Sequence, residues 1–143
     1  MWPFRYFERH EMCRPERATS CPPEAWVCLG ALFAAVVEPL REAHGHPLEV
    51  TSGFRPPGEN AAAGGSMSSQ HLSGQAADLR SARATPEALA RLVLSLCLPF
   101  DQMIIERRAS GEAWLHVSYG ARHRREVLVC LDGHTYTPWR PDA

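Results

Sequence analysis

His71 and Asp78 stand seven residues apart, with Ser73-Gly74 between them. Imidazole and carboxylate are common ligands of zinc. On a helix such ligands recur at i and i+4, so this spacing does not describe a helical site. Seven extended residues would span roughly 23 Å, too far for two side chains to share one ion. The chain must fold back between them, and Ser73-Gly74 supplies residues that suit a turn. The spacing predicts a loop histidine followed by a strand aspartate. A catalytic zinc usually takes three protein ligands and keeps one position open. The third candidate is His116, in Ala113-Trp-Leu-His-Val-Ser-Tyr119. That run alternates, with Leu115, Val117 and Tyr119 on one face and Trp114, His116 and Ser118 on the other. Each residue alone has a plainer reading: His71 solvated on its loop, Asp78 paired with Arg80 or Arg83, His116 satisfied within its strand.

Taken together, Ser69-x-His71-x-x-Gly74-x-Ala76-x-Asp78 followed by Trp114-x-His116 resembles the zinc D-Ala-D-Ala carboxypeptidase family of peptidoglycan peptidases (peptidase M15), in its short phage and bacterial branch. Pro39-Leu-Arg41, Ser52-Gly-Phe-Arg55 with Asn60, and Gly64-Gly-Ser66 fall in the same order as in that branch. Phe100-Asp-Gln-Met-Ile-Ile-Glu106 and Trp114-Leu-His-Val-Ser118 complete the series, and the resemblance covers residues 25 to 120. It implies one Zn2+ per chain on His71, Asp78 and His116. It also implies a metallopeptidase acting on the D-amino-acid-containing stem peptide of peptidoglycan, as a carboxypeptidase or an endopeptidase. Arg55 would bind substrate or the developing oxyanion, a task suited to a fixed cationic donor. Ser69 would donate to substrate and Trp114 would wall the pocket. Two other readings use the same fold: a non-catalytic zinc-binding module, as in hedgehog signalling domains, and a structural component of a phage particle.

Hydrolysis also needs a base. Gln102, Ile104 and Glu106 share one face of a predicted strand, so Glu106 can face the cleft that His116 faces. Its plainer reading is a strand-end acid paired with Arg107 or Arg108. Glu112, four residues before His116, is the alternative base, but Ser110-Gly111-Glu112 reads as a hairpin tip where an acid is solvated. The expected base is Glu106.

A chain of 143 residues, 45% hydrophobic and 22% charged, has the composition of a soluble globular domain. A net charge of −1 gives no pull towards nucleic acid or an anionic membrane. Five cysteines at irregular spacing, without C-x-x-C, fit neither a disulfide framework nor a cysteine zinc site. Cys28 and Cys97 fall in helical apolar patterns and are expected to be buried. Cys13 and Cys21 are the pair that could close in an oxidising setting. The charged N-terminus lacks a signal-peptide pattern, and no segment is expected to cross a membrane. The expectation is one domain over 1–143, a monomer made in the cytoplasm. It would reach the cell wall when released or carried by a phage or lysis system.

The elements that must position these residues follow from patterning. Residues 1–20 read as an irregular arm. A helix runs from Glu24 to His44 with Leu29, Leu32, Phe33, Val36 and Leu40 as its stripe. Pro39 should kink it and Gly45 ends it. Leu48–Thr51 is a strand, Glu59–Ala63 a helical turn, and the small residues of 61–69 a loop that the resemblance places beside the metal. A strand through Ala76–Leu79 carries Asp78. Thr85-Pro-Glu starts a helix that runs to Cys97. Strands Gln102–Glu106 and Ala113–Tyr119 form a hairpin, Glu126–Leu131 is a last strand, and 132–143 an irregular tail. The result is an α+β domain: a small, mostly antiparallel sheet packed with two main helices. The resemblance implies the hedgehog/D,D-peptidase fold.

Overall fold

In the computed structural model, which describes residues 2–14, 21–62 and 69–142, six strands form one sheet behind which the helices pack. The strands are β1 (Glu49–Ser52), β2 (Ala76–Arg80), β3 (Gln102–Arg107), β4 (Ala113–Ser118), β5 (Glu126–Cys130) and β6 (Tyr136–Pro138). Their order across the sheet is β1-β2-β4-β3-β5-β6. All neighbours are antiparallel except β3 and β5, so the α+β expectation stands with one parallel pair. Alternation divides the sheet's two faces. Leu79, Leu115, Val117, Met103 and Ile105 are buried against the helices. Asp78, His116 and Ile104 lie in one cross-strand row on the other face, and Trp114 and Glu106 pair in the next row.

The helical layer begins with a short α1 (Arg9–Met12) and continues with α2 (Pro23–Leu32) and α3 (Glu38–His44). Between α2 and α3, Phe33–Val37 forms a π-helical turn. Proline cannot donate to the i−4 carbonyl, and its ring crowds that turn. The wider turn takes up the strain just before Pro39, with the Glu38 N–H bonding back to the Phe33 carbonyl. The expected kink is thus a widened turn, and Gly45 closes the rod at φ 76°. By length and composition the 22 residues Pro23–His44 are apolar enough to cross a membrane, which corrects the expectation that no segment is. Leu29, Leu32, Phe33, Val36, Val37 and Leu40 on this rod belong to the core cluster. Each such side chain contributes about 1.5–3 kcal/mol by leaving water.

The N-terminal arm is tied to this rod. Phe7 packs edge-on against Phe33 at 5.2 Å, the Glu38 carboxylate accepts the backbone N–H groups of Arg5 and Tyr6, and Arg41 lies over Tyr6. Helices α4 (Pro57–Ala62) and α5 (Pro86–Ser95) complete the layer. Thr85 caps α5 by accepting the Ala88 N–H at 3.1 Å.

Two further expectations are corrected. Helix α5 stops at Ser95, and Cys97 beyond it is exposed at φ 54°. The Cys97 and Leu98 N–H groups return to the carbonyls of Leu94 and Val93. This is a Schellman closure with cysteine where glycine is usual. The tail is not wholly irregular either. Asp132 accepts the N–H groups of His134 and Thr135, the chain reverses, and Tyr136–Pro138 adds an edge strand to β5. Pro138 is tolerated there because an edge strand leaves one side unpaired. The small-residue loop lies mostly outside the described residues, which omit 63–68.

Candidate metal centre

A short 3-10 turn, Gln70–Ser73, delivers His71, and the chain reverses at Gly74, φ 77°, to enter β2. A side-chain carbon on Gly74 would collide with the Ala25 carbonyl of α2, so glycine is required here twice over. The Ser69 hydroxyl caps this turn by accepting the His71 N–H at 3.3 Å. Gln70 ties the turn to the head of β3, donating to Asp101 at 3.1 Å. Asp101 is itself held by Arg124, whose hydrogen bond outweighs burial and keeps the carboxyl at about 2. On β2 and β4, Asp78 and His116 are directly opposite each other. A bulge in β1 between Val50 and Ser52 sets Ser52 opposite Asp78, a common device for aiming residues beside a site.

The three candidate ligands converge. His71 Nε2 and His116 Nδ1 each lie 3.2 Å from Asp78 Oδ1, and one ligand atom from each residue lies within 4.8 Å of the others. His71 Nδ1 faces the Gly53 carbonyl at 2.7 Å. A carbonyl only accepts, so Nδ1 carries the hydrogen and Nε2 presents its lone pair. Burial holds the His71 imidazole below its ordinary pKa, against the opposing charge of Asp78. For Asp78, burial acts to raise the pKa, but the imidazoles, when protonated, hold the carboxyl well below the usual range by charge and hydrogen bond. Of the possible states of this pair, a neutral His71 beside an ionised Asp78 is the one the geometry favours. The imidazolium would lose its hydration in the buried pocket, whereas Arg55 supplies the carboxylate with a counter-charge at 3.2 Å. A ring lone pair and a carboxylate oxygen facing each other at 3.2 Å repel unless a cation joins them. The donor set of two imidazoles and one carboxylate suits zinc, and the Gly53 carbonyl behind His71 is the usual outer support of such a ligand.

The other predicted residues surround this cluster unevenly. Arg55 is not solvated: its side chain is 12% exposed, with Nε on Ser52 Oγ at 2.9 Å and Nη2 on Asp78 Oδ2 at 3.2 Å. It occupies one oxygen of Asp78 and leaves Oδ1 to the histidines. Trp114 is half-buried two residues before His116 on β4. Glu106, opposite Trp114 on β3, is buried at 7% exposure. Arg107 turns to the helical side and pairs with Glu87 of α5 at 2.6 Å. Arg108 stays beside Glu106, its Nη1 2.8 Å from Oε2. Glu112 is exposed and lines, with Thr85, Leu89 and Arg107, a cavity of about 440 Å³ at the start of α5.

One contributor escapes a sequence reading and another is legible only in part. Gly53 fixes the His71 tautomer, and it must be glycine because a side-chain carbon would collide with the Met12 carbonyl of α1. That contact spans 41 residues of chain, and no local signal announces it. Arg108 is one of the two arginines that the sequence offers Glu106 as a partner, and it is the one found beside it. Strand parity alone would have separated Arg107 from Arg108. Residues 5–118 match a family model described as Peptidase M15, a span that contains every one of these site residues. A comparison with curated proteins finds no match.

Proposed function

We propose that this chain, which belongs to the peptidase M15 family, is a zinc-dependent peptidase that hydrolyses D-amino-acid-containing stem peptides of peptidoglycan. The observation that carries this reading is the convergence of His71, Asp78 and His116 on the open face of the sheet. A zinc ion held by them would lower the pKa of a water towards about 7 and polarise a peptide carbonyl. Around it, Glu106 is the group placed to take a proton and return it to the leaving amine. Arg55 orients Asp78 and offers its guanidinium edge to the carbonyl oxygen of the bond being cut. Ser69, whose oxygen accepts from the His71 N–H, keeps its own hydrogen for substrate, and Trp114 walls the pocket. Removal of a terminal D-Ala and cleavage within a cross-link draw on the same groups. The substrate lies outside the cytoplasm, so in this reading the protein reaches it on release or carried by a lysis system.

The direct test is zinc-loaded protein on purified peptidoglycan, with released fragments identified by mass spectrometry. Fragments cut at a D-amino-acid bond are expected, lost with a chelator and restored by zinc. No release at full zinc occupancy would leave a zinc-binding module without this activity.

Arg55 gives a second test. At saturating zinc, Arg55→Ala should lose about 2–4 kcal/mol of transition-state stabilisation in kcat/KM on a stem peptide. Arg55→Lys should also be impaired, because one ammonium cannot span Ser52 and Asp78 as the guanidinium does. Kinetics equal to the unsubstituted protein in both variants would confine Arg55 to a structural role.

A further inference from the structure

Arg108 is fixed more firmly than a hairpin arginine needs to be. Its Nη1 donates to the carbonyls of Arg107, at 3.0 Å, and of Cys130 on β5, at 3.3 Å. Its guanidinium lies over the Trp114 ring, 4.9 Å from the centroid. These contacts join β3, β4 and β5 on the face that carries the candidate metal centre. The same nitrogen stands 2.8 Å from Glu106 Oε2. Oε2 is fully buried, and this guanidinium is the charge that faces it. A carboxylate oxygen buried against a fixed cation is held there, because separating the pair would leave a buried charge without its counter-charge.

We infer that Arg108 is a positioning residue for Glu106. It holds the carboxylate in place by its charge on Oε2 and leaves the other oxygen, Oε1, to accept a proton from the reacting water. This rests on the reading of Glu106 as the base. Two fixed carbonyls and one indole ring set the guanidinium, and the guanidinium sets the carboxylate. Arg107, one residue earlier, points to the other side of the sheet and does not share the task.

The test is a double-substitution cycle on zinc-loaded protein, reading kcat and KM on a stem peptide together with zinc content. Arg108→Gln should lower kcat by about 10–100-fold, the cost of a misplaced reacting group, with KM and zinc content little changed. Arg107→Gln should leave kcat as it is. In the Glu106→Gln background, Arg108→Gln should have almost no further effect, because a residue acting only through Glu106 has nothing left to position. Guanidinium ion added to Arg108→Ala should restore part of the lost rate, which remains measurable if Glu106→Gln is too slow to assay. An equal loss of kcat from Arg108→Gln in both backgrounds, or no guanidinium rescue, would overturn the inference while leaving the base in place. Full activity in Glu106→Gln would remove the base itself, a different failure.

Discussion

His116→Ala is expected to strip the protein of most of its zinc and to abolish stem-peptide hydrolysis. The remaining pair, His71 and Asp78, would offer one neutral nitrogen and one carboxylate oxygen, and two ligands seldom retain zinc. The fold should survive this change better than it survives Asp78→Ala. His116 is half-buried on β4, so its truncation exposes a small hollow on the open face. Removing Asp78 instead leaves the Arg55 guanidinium buried without its carboxylate. That mistake costs about 3–5 kcal/mol when a buried ion pair loses one partner. Elemental analysis reads the first effect and thermal melting separates the second. Full zinc occupancy in His116→Ala would sink the ligand assignment. His123 would then be the next histidine to test, although its ring lies exposed against Tyr119.

Sequence patterning reached the candidate site because short-range geometry controls most of it. The seven-residue gap between His71 and Asp78 demanded a reversal, and the reversal occurs at Gly74. Alternation along 113–119 set His116 and Trp114 apart from the core residues Leu115 and Val117, and the register of β4 agrees. Features that depend on distant parts of the chain were not legible. Pro39 reads as a kink, but the packing of Phe33, Val36 and Val37 in the core carries the rod through it as a π-helical turn. Cys97 reads as the last apolar position of α5, yet the helix closes two residues early and turns the residue outward. Tyr136–Pro138 is three residues ending in proline, too short to announce itself, and becomes a strand because β5 presents an open edge. Arg55 reads as a turn arginine until Ser52 and Asp78 are brought beside it by the β1 bulge.

Glu106→Gln is expected to bind zinc normally while hydrolysis falls by about two to four orders of magnitude. The substitution is nearly isosteric, so it tests proton transfer with little change of packing. Glu112→Gln should keep most of its activity. The two acids differ in what fixes them. Glu106 is buried on β3, opposite Trp114 and beside the Arg108 charge. A base must stay within hydrogen-bond reach of the proton it takes, and that setting restricts the carboxylate to a small volume. Glu112 sits at an exposed hairpin tip, after the turn closed by the Gly111 N–H on the Arg108 carbonyl. Its surroundings are the cavity against α5, with Thr85, Leu89 and Arg107, and Arg107 is the arginine directed to the helical side. Reaching the ligand cluster from there would require Glu112 to cross the edge of the sheet. Measured kcat in the two variants, with zinc content equal in both, decides between them. Loss of activity in Glu112→Gln with Glu106→Gln unimpaired would move the base to the hairpin, and the hairpin would then have to close over the substrate for the reaction to proceed.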